Sequence, residues 1–130
     1  MNNLINRLAR SRHSIVDLLV LISEIEGQLM VAEAFNKLGI NSEHDDGDLT
    51  SHDYRVFNIA HDLGEALYLD FIPESYRVHF DDVISLGMKV GEGYWQPSFQ
   101  NGLNEAAHTL SELSNEGQDV DEYIEYLAHH

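Results

Sequence analysis

The sequence predicts an all-α protein: a single compact domain over residues 1–130, folded as a bundle of five to six helices with a long, largely buried helix near residues 14–38. Three observations carry that expectation. Apolar residues recur at helical spacing, as in Phe99, Leu103, Ala106, Leu110 and Leu113, spaced four, three, four and three apart. No stretch alternates apolar and polar residues convincingly enough to read as a strand, although residues 76–90 are less clearly helical because Tyr76-Arg-Val-His-Phe80 also suits an extended chain. Capping residues and glycines punctuate the periodic runs. A chain of 130 residues is long enough to bury its own core as one domain.

The elements follow in order. Leu4, Ile5 and Leu8 mark a short helix over 2–12. Ser14-Ile-Val-Asp17 matches a capping box, with Asp in place of the usual Glu or Gln, and opens the long helix to Leu38. Gly39 suits its left-handed C-terminal cap. The run Leu18–Ile22 is apolar on every side, which predicts a helix surrounded by neighbours. Residues 41–49 read as loop, and Thr50-Ser-His-Asp53 caps a helix over 51–69. Pro73 opens a short helical turn, and Asp81 or Asp82 starts a helix ending near Gly91. Gly91-Glu-Gly-Tyr-Trp-Gln-Pro97 reads as an aromatic loop, with Pro97 at the first position of the next helix. Gly117 ends that helix, and Asp119-Val-Asp-Glu122 caps the last one. The expected core joins Leu18, Ile22, Leu29, Phe57, Ala60, Leu67, Leu103, Leu110 and Leu113.

Charge is the compositional outlier. There are 23 Asp and Glu against seven Lys and Arg, for a formal net charge of −16. Spread over the roughly 7,000 Å² expected for this size, that far exceeds the magnitude of about 2–8 that solubility asks of a small domain. Arg7, Arg10 and Arg12 lie at the start, where no acid precedes Asp17, and no Lys or Arg follows Lys89. A second cation-free stretch lies between Lys37 and Arg55. Such a surface disfavours nucleic acid and anionic membrane and favours a basic protein. Cysteine is absent, no signal peptide is evident, and the longest apolar run is too short for a bilayer. A cytoplasmic location is expected.

Histidine and aspartate recur as pairs at His44-Asp45, His52-Asp53 and His61-Asp62, a pattern that raises the question of a metal centre. At about 100° per residue, His52 and His61 point in opposite directions. His61 falls at the edge of an apolar stripe of Phe57, Ala60, Leu63, Gly64 and Leu67, while Asp62 and Glu65 fall on the solvent side. A His/Asp metal-dependent hydrolase needs such a pair aimed inward, so the pattern argues against one. Placing Gly47 at the invariant sixth position of a calcium loop puts Ser42 at the first position, where an acid is wanted. Glu105-Ala-Ala-His108 has the di-iron spacing but occurs once, with both residues expected in solvent. Glu26 and Glu33 share a face with Ile22 and Leu29; Lys37 stands one turn beyond Glu33 and is placed to pair with it. No nucleophile elbow or phosphate loop is present. Neither a catalytic residue nor a metal or cofactor is expected.

The expected function is therefore binding: an acidic inhibitor that occludes a basic nucleic-acid-binding protein by presenting carboxylates where phosphates would lie, in the manner of anti-restriction or anti-CRISPR proteins. The alternatives are an immunity protein that caps a basic toxin and a regulatory or assembly adaptor. The expected contact is Glu112, Glu116, Asp119, Asp121, Glu122 and Glu125, held on helices. The loop acids Glu43, Asp45, Asp46 and Asp48 form a secondary candidate.

Overall fold

Residues 4–38 and 51–129 are described in a computed structural model of the chain. Among them are six α-helices and one 3-10 turn: α1 (Leu4–Ser11), α2 (Ile15–Leu38), α3 (Ser51–Tyr68), the turn (Glu74–Tyr76), α4 (Arg77–Val90), α5 (Trp95–Asn115) and α6 (Val120–Ala128). The all-α bundle predicted from periodicity is what forms. No helix among the described residues is long and apolar enough to cross a membrane.

Local signals place most boundaries. The Ser14 hydroxyl accepts the Asp17 N–H at 3.3 Å, as the capping box predicts. At the end of α5, Gly117 takes a φ of 73°. The Gln118 N–H then reaches the Leu113 carbonyl at 2.8 Å and the Gly117 N–H the Ser114 carbonyl at 3.1 Å, a Schellman closure. Asp119 caps α6, its carboxylate accepting the Asp121 N–H at 2.9 Å. Two starts differ from expectation. The helix expected at Asp81 or Asp82 begins at Arg77, because the turn after Pro73 leads directly into it. The helix expected at Pro97 begins at Trp95, whose N–H is already bonded to the Gly91 carbonyl at 2.8 Å. The caps expected at Gly39 and Thr50 lie outside the described residues.

The closest joint is α3 against α5, the most extensive helix pair in the fold. Gly64 and Gly102 make it possible. A Cβ at Gly64 would overlap the Phe99 carbonyl, and one at Gly102 the His61 carbonyl. Fully buried Ser98 adds a hydrogen bond from its hydroxyl to the Phe57 carbonyl at 2.7 Å. Trp95 packs its ring over Gly87, so the aromatic loop residue belongs to the core.

Of the expected core, Leu18, Ile22, Leu29 and Ala60 are buried. Phe57, Leu67, Leu103, Leu110 and Leu113 are only half-buried. The buried stripe of α3 is Val56, Ile59, Ala60, Leu63 and Ala66, rotated from the predicted one because α1, α2 and α4 pack on it as well as α5. Leu110 and Leu113 lie on the distal half of α5, beyond most of its cover.

The long helix also differs from expectation. Only one face of α2, with Leu18, Leu21, Ile22, Ile25, Leu29 and Ala32, is buried; Val16 is 69% exposed, Met30 60% and Leu38 71%. An apolar girdle predicts neighbours all round, but among the described residues the neighbours of α2 come from one side. The central helix is α3. Glu33 does pair with Lys37 at 3.2 Å, and also with Lys89 of α4 at 3.4 Å. These lysines, Lys37 first, hold the Glu33 carboxyl below its ordinary value. Glu26 is half-buried.

Gly27 sits mid-helix on the open side, where an added Cβ meets nothing within 4 Å. Gly27→Ala is expected to stabilise the dilute chain by about 0.5–1 kcal/mol, since alanine loses less backbone entropy in a helix. The urea midpoint at low protein concentration checks this.

Candidate functional site

The α5–α6 corner carries the acids nominated from sequence. The Schellman turn at Gly117 and the cap at Asp119 fix the two helices' ends, so their carboxylates project from ordered backbone. Glu112, Glu116, Asp119, Asp121 and Glu122 are exposed. Glu112 faces His108 at 3.0 Å, and Glu116 accepts from Gln118 at 3.2 Å. Glu125 has a structural task. It pairs with Arg12 at 2.7 Å and His129 at 3.4 Å, and so ties α6 to the end of α1. Asn6 reinforces that tie by donating to the Leu127 carbonyl at 2.9 Å. The secondary set, Glu43, Asp45, Asp46 and Asp48, lies outside the described residues.

A second cluster gathers at His61, and sequence reasoning missed it. The glycine contact between α3 and α5 brings Glu105 to His61: Nε2 lies 2.8 Å from the Glu105 carboxylate. Nδ1 lies 3.0 Å from Glu65 and 3.6 Å from Asp62. Glu105 and His108 are exposed as expected. Asp62 and Glu65 are not on a solvent face, each side chain being only 16% exposed. The reason is again the central position of α3. The α1 helix packs beside it, with the Ile5 backbone N–H at the Asp62 carboxylate, and Tyr123 of α6 stands near Glu65. Burial pushes the Glu65 carboxyl up to about 7, with the His61 charge opposing and the Asp62 and Glu105 charges adding. Burial likewise raises Asp62, against the hydrogen bond and charge of His61. It also raises the Tyr123 hydroxyl, helped by Glu65. The sequence held two usable signals: Glu65 stands one turn from His61, and Gly64 and Gly102 mark a close approach.

One imidazole and two carboxylates form a donor set suited to a divalent cation, and one ligand atom from each of His61, Glu65 and Glu105 lies within 4.8 Å of the others. The ring nitrogens, however, face different carboxylates, and an ion takes only one of them. Each ring nitrogen already has a carboxylate oxygen at hydrogen-bond distance, 3.0 Å at Nδ1 and 2.8 Å at Nε2. Beside it lies an open hollow of about 480 Å³ lined by Phe57, Asn58, His61, Asn101, Asn104 and Glu105. Its amide and carboxylate rim can accept hydrogen bonds from a basic side chain.

No family model, curated protein or solved structure matches the chain.

Proposed function

We propose that the protein binds a basic, nucleic-acid-binding protein through the acidic α5–α6 corner and blocks its nucleic-acid site, as anti-restriction and anti-CRISPR inhibitors do. One observation carries this reading: five exposed carboxylates, at 112, 116, 119, 121 and 122, stand on capped helix ends in a part of the chain with no Lys or Arg. Charge fixed on helices binds without the entropy of ordering a loop. Neighbours on a helical face are roughly 5–6 Å apart, comparable to successive phosphates of one strand.

The test begins with capture of the basic partner from lysate. Its binding is then measured with Glu112→Lys/Glu122→Lys and with Asp45→Lys/Asp46→Lys. Both pairs change the net charge equally, and neither touches Glu125. The helix pair is expected to weaken binding at least tenfold, about 1.4 kcal/mol, and the Asp45/Asp46 pair much less. Duplex DNA or RNA should compete. Affinity should also fall as salt rises, since exposed charges are screened within about 8 Å at physiological ionic strength. An Asp45/Asp46 pair that abolishes binding while the helix pair leaves it intact moves the contact elsewhere. A partner that binds its nucleic acid and this protein together sinks the mimicry.

A further inference from the structure

We propose that the outer face of α2 joins two copies of this chain in an antiparallel, two-fold dimer, with the axis at Gly27. This rests on the apolar surface of α2 and not on the acidic corner.

Seven large apolar side chains on α2 stand in solvent: Ile15, Val16, Leu19, Val20, Met30, Val31 and Leu38. By their fractional exposures they present on the order of 700 Å², more than the largest patch of a typical monomer and close to what one partner gives a standard interface. The spacing is that of a helix-pairing seam. Val16, Val20, Ser23, Gly27, Met30 and Ala34 lie four, three, four, three and four residues apart. Val31 and Leu38 widen the strip. None of these eight positions is charged, along a helix about 36 Å long, in a chain of net charge −16. The nearest acids flank the seam: Glu24, paired with Arg7 at 2.6 Å, and half-buried Glu26.

Residue sizes select the arrangement. In an antiparallel pair centred on Gly27, Val16 faces Leu38 of the second copy, Val20 faces Ala34, Ser23 faces Val31, and Met30 faces the stem of Glu24, whose carboxylate is held aside by Arg7. Small thus meets large at the Val20 and Ser23 steps. Gly27 faces Gly27, where the open space beside its Cα lets the backbones approach. A parallel pair would set Ser23, Gly27 and Ala34 each against itself, leaving gaps between bulky ends. Net charge narrows the occupant further. A basic partner is drawn to carboxylates, which this strip lacks. A second copy carries the same uncharged strip and meets the first there with the least repulsion.

The chain has no cysteine of its own, so engineered thiols report the register. Sedimentation of the full chain across the micromolar range, at about 0.05 and 0.5 M salt, should show a dimer that tightens several-fold as salt screens the like charges. That is opposite in sign to the salt effect expected at the acidic corner, so each reading can fail alone. Gly27→Cys should link to itself under mild oxidation. Val20→Cys and Ala34→Cys should each stay unlinked alone and link when mixed. Ala34→Glu and Val31→Lys, both at exposed helical positions, should keep the helical circular dichroism and weaken association at least tenfold. Gly27→Ala should also weaken it by holding the backbones apart. A chain that remains monomeric at every concentration and salt overturns the proposal and leaves the face to another partner. Self-linking by both Val20→Cys and Ala34→Cys alone overturns the antiparallel register.

Discussion

Gly102→Val is expected to cost the fold roughly 4 kcal/mol or more, among the larger single-substitution losses. The α3–α5 joint is a backbone-to-backbone contact. A Cβ at Gly102 would lie on the His61 carbonyl, and one at Gly64 on the Phe99 carbonyl. Overpacking normally costs about 1–3 kcal/mol because nearby side chains can turn aside. Here the obstructing atoms are main chain, so α3 and α5 must separate along their length. Separation would also strand the Ser98 hydroxyl, which donates to the Phe57 carbonyl at 2.7 Å, and part His61 from Glu105. A domain with a total stability of about 5–15 kcal/mol has little to spare for this. Urea unfolding followed by circular dichroism decides it. A midpoint near that of the parent would mean that the helices do not meet at these glycines. Gly27→Ala is the internal control, a larger residue in a helix where space is open.

The helices were legible because their signals are local. Ser14, Asp119 and Gly117 each announce an end through a hydrogen bond within a few residues. The packing was less legible because it depends on what surrounds each helix. The pattern of α3 supports a stripe through Phe57 and Leu67, yet the buried set runs through Val56, Ile59 and Ala66. A helix enclosed by several others has no single wet face to calibrate the wheel. The same error put Asp62 and Glu65 in solvent and hid the His61 cluster. It reverses for α2, where an apolar girdle suggested enclosure and the described residues leave one side open. Both errors concern neighbours, which periodicity does not encode. The acidic corner was readable because charge counts need no packing. Glu125 was the exception, since its tie to Arg12 joins residues at opposite ends of the sequence.

Glu65→Gln is expected to stabilise the protein above neutrality and to leave it nearly unchanged in mild acid. The Glu65 carboxyl is raised from an ordinary 4.5 to about 7, with burial as the main cause. A raised carboxyl binds its proton more tightly folded than unfolded. Its contribution to stability is therefore full below about pH 4.5 and is lost as pH rises through about 7. Taken whole, the shift corresponds to roughly 3 kcal/mol. The cluster borders solvent, and screening reduces this to about 1–2 kcal/mol. The groups facing Glu65 are His61 and Asp62 on its own helix, Glu105 on α5 and Tyr123 on α6. Asp62 is raised in the same direction, so the parent's stability should fall with pH even beyond the share of Glu65. Glutamine keeps the shape and hydrogen-bonding capacity of the protonated acid but cannot ionise, so the variant's curve should be flatter between about pH 4.5 and 7. Glu105→Gln, at an exposed position, should flatten it much less. Urea midpoints for parent and both variants at about pH 5, 6, 7 and 8 make the comparison. If the parent and Glu65→Gln curves run parallel throughout, Glu65 titrates as an ordinary surface acid and the cluster is looser than its 2.8 and 3.0 Å contacts indicate.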